Sequence, residues 1–178
     1  MNFIKTEYVK SDEIKRFRKK YGLTQKDLAE LLGCSKPTVE RWERNEKVDG
    51  IPAFLFDLLM RYPDIMNELV VPERSFPIRL WYMHGQHVCT LIDVDEINQR
   101  VRIKNYTDNL LDRAFGRIEK PSFKDYEEFL ESRCFPKQRD KMKLILEDLN
   151  LPFYDPMLIV KKTQGRMAED DFWIRVEE

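Results

Sequence analysis

The chain has 178 residues, of which 42% are hydrophobic and 35% are charged, and its formal net charge is -1. A chain of this length and composition buries a core without disulfides or metal ions, which excludes a disordered or a disulfide-stapled protein. The charge is uneven: residues 10–47 carry eleven Lys or Arg against seven Asp or Glu, whereas residues 73–178 carry eighteen against twenty. A basic surface is therefore expected in the N-terminal part.

The three cysteines, Cys34, Cys89 and Cys134, stand far apart and form no CxxC pair. This spacing indicates neither a disulfide framework nor a zinc finger, and it favours a reducing compartment. The opening MNFIKTEYVK lacks the apolar core of a signal peptide, and no later stretch reaches the roughly 18 apolar residues of a membrane span. We expect a cytoplasmic protein that uses no membrane, metal or other cofactor.

Apolar residues recur at helical spacing from the start of the chain. The spacing predicts a first helix over residues 12–20, with Ser11 as its N-cap. A second helix is predicted after Thr24, where Asp27 completes a loose capping box, and Gly33 is expected to end it.

A third helix is predicted after the N-cap Ser35, with Pro37 in the first turn, where no intrahelical N–H is needed. A fourth helix is expected to end at the Tyr62-Pro63 step. Its predicted inward residues are Ile51, Phe54, Leu55, Leu58 and Leu59. Four short helices with tight connections predict a compact bundle.

The sequence changes character after a proline-containing linker at residues 72–77. The runs IRLWYM, HVCTLIDV and VRIKNY alternate and are separated by turns, which predicts an antiparallel meander. Helices are predicted over residues 122–133 and 137–149, and FWIRV predicts a last strand. The predicted fold class is therefore α+β: an all-α helix-turn-helix domain over residues 1–71, followed by a small α+β domain with an antiparallel sheet over residues 78–178.

The stretch RKKYGLTQKDLAELLGCSKPTVERWERNEKV, residues 18–48, resembles the helix-turn-helix of the Cro/repressor-like XRE family. Its two helices are joined by a tight, glycine-containing turn and are expected to pack through Leu28, Leu32 and Val39. Such packing presents the outer face of the second helix to a DNA major groove about 12 Å wide. The pattern predicts a sequence-specific DNA-binding protein.

Polar residues on the outer face of the predicted reading helix are the candidate DNA contacts. Arg41 is the strongest base-reading candidate, because a guanidinium bonds two acceptors of guanine at once. Lys36 and Thr38 lie on the first turn, which enters the groove deepest. Arg44 and Asn45 are secondary candidates.

Thr24 and Gln25 stand at the amino end of the preceding helix, where exposed N–H groups suit a phosphate. We expect these two residues to position the protein on the DNA backbone. The alternative is that Gln25 and Arg41 are ordinary surface residues of a bundle that contacts another protein.

Within the XRE group, residues 14–69 are most similar to the DNA-binding half of MqsA-type antitoxins, through the RWE step and the segment LLMRYPDIMNEL. The zinc-binding domain of that antitoxin has no counterpart here, because the cysteines it needs are missing. The resemblance implies that Arg41 reads a base. It places the family's other base reader at Pro37, which cannot bond a base, so the operator sequence does not carry over.

Residues 78–176 resemble the small domain that precedes the kinase core of HipA-like toxins. The resemblance comprises the blocks YMHGQHVCTLIDVD, ESRCFPKQR, KMKLILEDLNL and GRMAEDDFWIRV, in that order. It implies an accessory domain that binds or mimics a HipA-like kinase without any kinase core. A dimerisation or effector domain of another role is the alternative.

The second domain contains a few residue groups with catalytic or ligand-binding character. The six glycines do not cluster into the phosphate-binding loop that a kinase requires, so we expect no enzyme. His84, His87 and Cys89 have soft-metal character, but on alternating strands they need not converge. The remaining candidate is a partner-binding cluster for a phosphate or an acidic surface, which contains Arg133, Lys137 and Arg139. The alternative is that these three charges belong to a solvated helix face.

The combined prediction is a transcriptional regulator that binds a double-stranded, partly palindromic operator as a homodimer. An antitoxin-like autorepressor of a toxin-antitoxin operon, with a HipA-like kinase toxin as partner, fits both resemblances. Two alternatives stay open. One is a protein that chiefly neutralises such a kinase; the other is a ligand-responsive phage or mobile-element repressor with a pocket lined by aromatic residues, namely Trp81, Tyr82, Phe172 and Trp173.

Overall fold

The computed structural model describes residue 2 and residues 6–178. Residues 1 and 3–5 lie outside the described residues, and the expectation about a signal peptide rests partly on them. The chain divides into two compact units, residues 1–70 and residues 71–178. A helical N-terminal part and a C-terminal part built on an antiparallel sheet confirm the predicted α+β class. None of the described helices is long and apolar enough to cross a membrane.

The first unit combines helices with a two-stranded antiparallel sheet, which the sequence analysis did not predict. Its elements, as far as the structure describes them, are β1 (Tyr8–Lys10), α1 (Ser11–Lys20), α2 (Gln25–Leu31), α3 (Lys36–Arg44), β2 (Lys47–Asp49), α4 (Ile51–Arg61) and α5 (Asp64–Leu69). The two strands were not predicted because three residues are too few to show an alternating pattern. Helix α5 was not predicted either, because it begins after Pro63, where the last predicted helix of this unit was expected to end.

Local hydrogen bonds fix where α2 and α3 begin. The Thr24 hydroxyl accepts from the Asp27 amide at 3.1 Å, and the Asp27 carboxylate accepts from the Thr24 amide at 2.7 Å. The Ser35 hydroxyl accepts from the amide of Thr38. Gly33, with φ at +61°, makes the turn between the two helices. Both predicted N-caps are therefore present.

The predicted start of α1 was wrong by one residue. Ser11 is already helical, and Lys10 occupies the N-cap position, where its amide donates to the Glu13 carboxylate at 2.8 Å. The reason is that β1 leads directly into the helix. No loop separates the two elements, and so the chain turns helical one residue earlier than Ser11 indicated.

The inward face predicted for α4 was partly wrong. Ala53, Phe56 and Leu59 are buried in the core of the first unit, whereas Ile51 is 82% exposed and Phe54 is 51% exposed. Most side chains of IPAFLFDLLM are apolar, so periodicity could not single out one face. The error leaves two large apolar side chains at the surface.

The second unit is a four-stranded antiparallel sheet with helices packed on one face. Its elements are β3 (Ile78–His84), β4 (His87–Asp95), β5 (Arg100–Asn105), α6 (Phe123–Ser132), α7 (Met142–Asp148), α8 (Pro156–Thr163) and β6 (Phe172–Glu177). The strand order is β5-β4-β3-β6, so the predicted meander is present and the predicted last strand joins it beside β3. Leu80, Ile92 and Tyr126 lie in the core between the sheet and the helices.

The helices of the second unit differ from the prediction in two places. The helix expected over residues 137–149 covers only Met142–Asp148, because Lys141 adopts a left-handed conformation with φ at +61° and interrupts it. Helix α8 was not predicted. Its Asp155 N-cap is followed by Pro156 and a run of apolar residues too short to show a helical period.

Candidate nucleic-acid interface

Helix α3 has one buried and one exposed side. Val39 is fully buried and shares the core of the first unit with Leu28, and Trp42 packs against the same core. Lys36, Arg41 and Arg44 are exposed on the other side. The residues chosen from the sequence to anchor the helix and those chosen to read DNA thus lie on different sides.

Arg41 is the least constrained cation of this exposed side. Its guanidinium makes no hydrogen bond or ion pair with any residue that the structure describes. The Lys36 ammonium lies 3.3 Å from the Glu40 carboxylate, and the Arg44 side chain donates to the Glu40 carbonyl at 3.2 Å. Arg41 alone of these three cations would meet a base without first breaking an internal bond.

The other two predicted base contacts are less prominent. Thr38 is half-buried, and its hydroxyl lies 2.9 Å from the Ser35 hydroxyl. Asn45 is exposed and caps the carboxyl end of α3, its amide donating to the carbonyl of Arg41. Both residues adjoin the exposed side of α3, but neither has the open environment of Arg41.

A buried carboxylate fixes α3 from behind. Glu43 is 6% exposed and accepts from Arg18 at 2.7 Å and from the Gln25 side-chain amide at 2.8 Å. Arg18 also donates to the Leu23 carbonyl at 2.9 Å. One residue from each of α1, α2 and α3 therefore meets at one point, which sets the orientation of the reading helix.

The pKa values of this group follow from its contacts. Burial raises the pKa of Glu43, but the hydrogen bonds from Arg18 and Gln25 outweigh burial and hold it below the ordinary value. The bond with Glu43 raises the pKa of Arg18. The pair stays ionised at neutral pH. This pair was not predicted, because the two residues lie on different helices. The indication in the sequence is a charged residue four positions after Val39, on the inward side of the helix.

The amino end of α2 differs from the phosphate site predicted there. The Asp27 carboxylate already bonds the Thr24 amide, and this bond lowers the pKa of Asp27, which keeps a negative charge at the helix end. The Gln25 side chain is engaged with Glu43. Backbone contacts by Thr24 and Gln25 remain a prediction, but these side chains are committed to the fold.

The three residues of the partner-binding cluster predicted from the sequence do not share one surface. Arg133 is 7% exposed, and its guanidinium donates to both Asp170 oxygens, at 2.7 and 3.0 Å, and to the carbonyls of Gly165 and Phe172. It therefore supports the fold of the second unit rather than a surface. Lys137 and Arg139 are exposed, and the Lys137 ammonium lies 5.8 Å from the Tyr154 ring centre.

Polar and aromatic residues of the sheet give no shared site. Among the described residues, no three His, Cys, Asp or Glu side chains are grouped to hold a metal ion. The His84 ring stacks on Phe172, and burial raises the pKa of the Cys89 thiol. The four aromatics of the predicted ligand pocket are split: Tyr82 and Phe172 stack on the helix-covered face, while Trp81 and Trp173 belong to a separate cluster.

A comparison with protein-family models finds a match within the first unit. Residues 14–49 match the model of a family described as helix-turn-helix, a range that includes most of α1, all of α2 and α3, and the Arg18–Glu43 pair. No curated protein and no solved structure matches the chain significantly. The matched range contains both α2 and α3, the two helices that form the candidate interface. They support a DNA-binding transcriptional regulator with an XRE-type helix-turn-helix domain.

Proposed function

We propose that the chain is an antitoxin-like autorepressor that binds a partly palindromic operator in the cytoplasm as a homodimer, and that it acts by binding rather than by catalysis. The observation that carries the proposal is the pairing of an unengaged, exposed Arg41 with a helix held from behind by Val39 and Glu43. A rigid helix with a free guanidinium is suited to base recognition.

Recognition would proceed through the exposed side of α3. Lys36 enters the groove at the first turn, and Arg41 donates two hydrogen bonds to the O6 and N7 acceptors of one guanine. Pro37 lies between them and contributes shape only, since it has no N–H. In a homodimer the two α3 helices would contact half-sites about 34 Å apart.

The role of the second unit rests on sequence resemblance alone. We infer that it binds a HipA-like kinase, and that this binding adjusts occupancy of the operator. The second candidate function is a protein whose main task is to neutralise the kinase. If a pull-down with this chain recovered no kinase encoded in its native operon, that result would count against both candidate functions. The ligand-responsive alternative loses support, because the aromatic residues assigned to its pocket lie on different faces of the sheet.

Selection of bound duplexes from a random DNA pool, at a stated salt concentration, tests the proposed function. We expect a conserved motif, and we expect the Arg41→Ala variant to bind it more weakly by about 1–3 kcal/mol and to lose preference at one base position.

Arg61→Ala is the matched control, because Arg61 is also exposed but lies on α4 and pairs with Asp57. An Arg41→Ala variant with unchanged base preference would show that α3 does not read DNA in this way. Failure to recover any motif would reject the proposed function itself.

A further inference from the structure

The two-stranded sheet of the first unit, β1 with β2, has a buried side and an exposed side. Val9 and Val48 pair with each other and are buried, at 2% and 7% exposure. Tyr8, Lys10, Lys47 and Asp49 are exposed on the other side. We call β1 and β2 together the ribbon.

Two lysines face each other on the exposed side of the ribbon. Lys10 and Lys47 are direct register partners, which brings their Cβ atoms to within about 5 Å, and neither ammonium forms an ion pair with a residue in the described part of the chain. Like charges placed directly across two strands destabilise the pair. A negatively charged partner that lies against the ribbon would remove that cost.

The ring of Tyr8 holds one of these charges outward. The Lys47 ammonium lies 4.4 Å from the centre of the Tyr8 ring, a cation–π distance. The ring supports the ammonium without neutralising it. The arrangement therefore holds the Lys47 ammonium on the exposed side of the ribbon, which also carries Lys10.

The ribbon also lies close to the reading helix. Lys47 follows Arg44, the last residue of α3, by three positions, so the two Cα atoms are at most about 11 Å apart. When the amino end of a helix enters the major groove, its carboxyl end lies nearer the groove edge, where the phosphates are. If α3 enters the groove by its amino end, Lys47 would lie near that edge.

We propose that Lys10 and Lys47 form a phosphate-binding site that clamps the DNA backbone beside the groove occupied by α3. This rests on the proposed function and adds to it a contact made by the N-terminal strand, outside the helix-turn-helix pair itself. The ribbon contributes affinity and position and no base preference, because phosphates are the same in every sequence. Two carboxylates oppose the same contact: Asp49 stands opposite Tyr8, and the Glu13 carboxylate accepts from the Lys10 amide at 2.8 Å.

Salt titrations test the clamp. The full chain, as wild type, Lys10→Gln, Lys47→Gln and the double variant, is titrated with the selected duplex and with a random-sequence duplex. Each single substitution should make the slope of log K against log salt shallower by about 0.9, and it should weaken binding to both duplexes by the same factor. Asp49→Asn should strengthen binding to both.

Lys20→Gln is the matched control. Lys20 is exposed and also lies over a tyrosine ring, that of Tyr21, but it lies beside Leu59 and Met60 of α4. Its substitution should leave the slope unchanged. Thermal unfolding checks the fold, and the lysine variants should unfold close to the wild-type temperature, since relief of the like-charge pair offsets the loss of the Lys47–Tyr8 contact.

The outcomes separate the two proposals. If wild type binds the selected duplex and the double variant keeps the same salt slope, the clamp is rejected while the reading helix stands; an acidic protein partner for the ribbon would give this result. A uniform loss with a shallower slope supports the clamp. If wild type binds neither duplex, both proposals fail.

Discussion

Glu43 links the stability of the first unit to the orientation of its reading helix. Replacing it by Gln removes the charge that Arg18 faces but keeps the shape of the side chain. We expect Glu43→Gln to lower the free energy of unfolding by about 1–3 kcal/mol at neutral pH. Urea denaturation measures the change in the free energy of unfolding. Faster hydrogen exchange of the α3 backbone amides in the variant would assign that change to the first unit. Glu40→Gln, on the exposed side of the same helix, should change stability by at most about 0.5 kcal/mol.

The Arg18–Glu43 pair predicts that the free energy of unfolding depends on pH. The pKa of Glu43 is lower in the folded chain than the ordinary value of 4.5, so the stability that the carboxylate contributes is present above that value. It is lost as pH falls through the folded pKa. The stability difference between wild type and Glu43→Gln should therefore be full at pH 7 and narrow below about pH 4.5. A difference that grows on acidification would contradict the assigned shift.

Arg133 provides a second test at the residue scale, because the sequence indicated a partner surface and the structure shows an internal role. Arg133→Met should lower the stability of the second unit by about 2–4 kcal/mol, since it removes the donor to the Gly165 and Phe172 carbonyls and the cation that faces Asp170. Arg133→Lys should recover only part of this, because an ammonium cannot bridge both carboxylate oxygens. If Arg133→Met unfolded at the same temperature as wild type, the internal role would be contradicted and the partner-binding hypothesis for Arg133 would regain support.

The start of α2 allows a test at the scale of an element, because Thr24 has a structural role and a predicted DNA contact. Thr24→Ala should cost about 1 kcal/mol of stability through loss of the cap, and Thr24→Ser should restore it. If Thr24 acts only as a cap, the salt slope of DNA binding stays the same in both variants. A shallower slope in Thr24→Ala would instead support the phosphate contact predicted from the sequence.

Helices with clear caps and clear periods could be predicted from the sequence. Thr24, Ser35 and Ser122 each cap a predicted helix, and the alternating runs that form β3, β4 and β5 gave the meander. These features depend on residues within a few positions of one another, and sequence patterns report such local preferences directly.

Features that depend on distant residues were missed. The ribbon joins Tyr8 to Asp49, and the Glu43 carboxylate is paired through Arg18 on another helix. Nothing close to these residues in the sequence indicates the partner. Of the candidate site, the exposed side of α3 was predicted, whereas the residues that hold α3 in place were not, because they act through tertiary contacts.

At the scale of the whole molecule, the proposed homodimer needs a contact between copies. Ile51 and Phe54 are large apolar side chains left at the surface of the first unit, and two copies that read adjacent half-sites would gain by burying them. Phe54→Ser should weaken self-association and weaken operator binding while leaving the base preference of each half-site unchanged. Sedimentation equilibrium and duplex selection measure the two effects.

Leu111→Ser is the control for this prediction, because Leu111 is 87% exposed in the second unit. It should leave both self-association and operator affinity as they are in wild type. A Phe54→Ser variant that dimerises like wild type would place the contact between copies elsewhere.

The pairing of β3 with β6 has a consequence for how the chain acquires its structure. His84 pairs with Phe172 and Arg79 with Glu177, so strands from opposite ends of the second unit must meet before its sheet is complete. The first unit closes through shorter separations along the chain, and folding slows as such separations grow. The first unit is therefore expected to form earlier than the second one. During that interval one edge of β3 stays open, which makes the half-formed second unit the part most prone to aggregate.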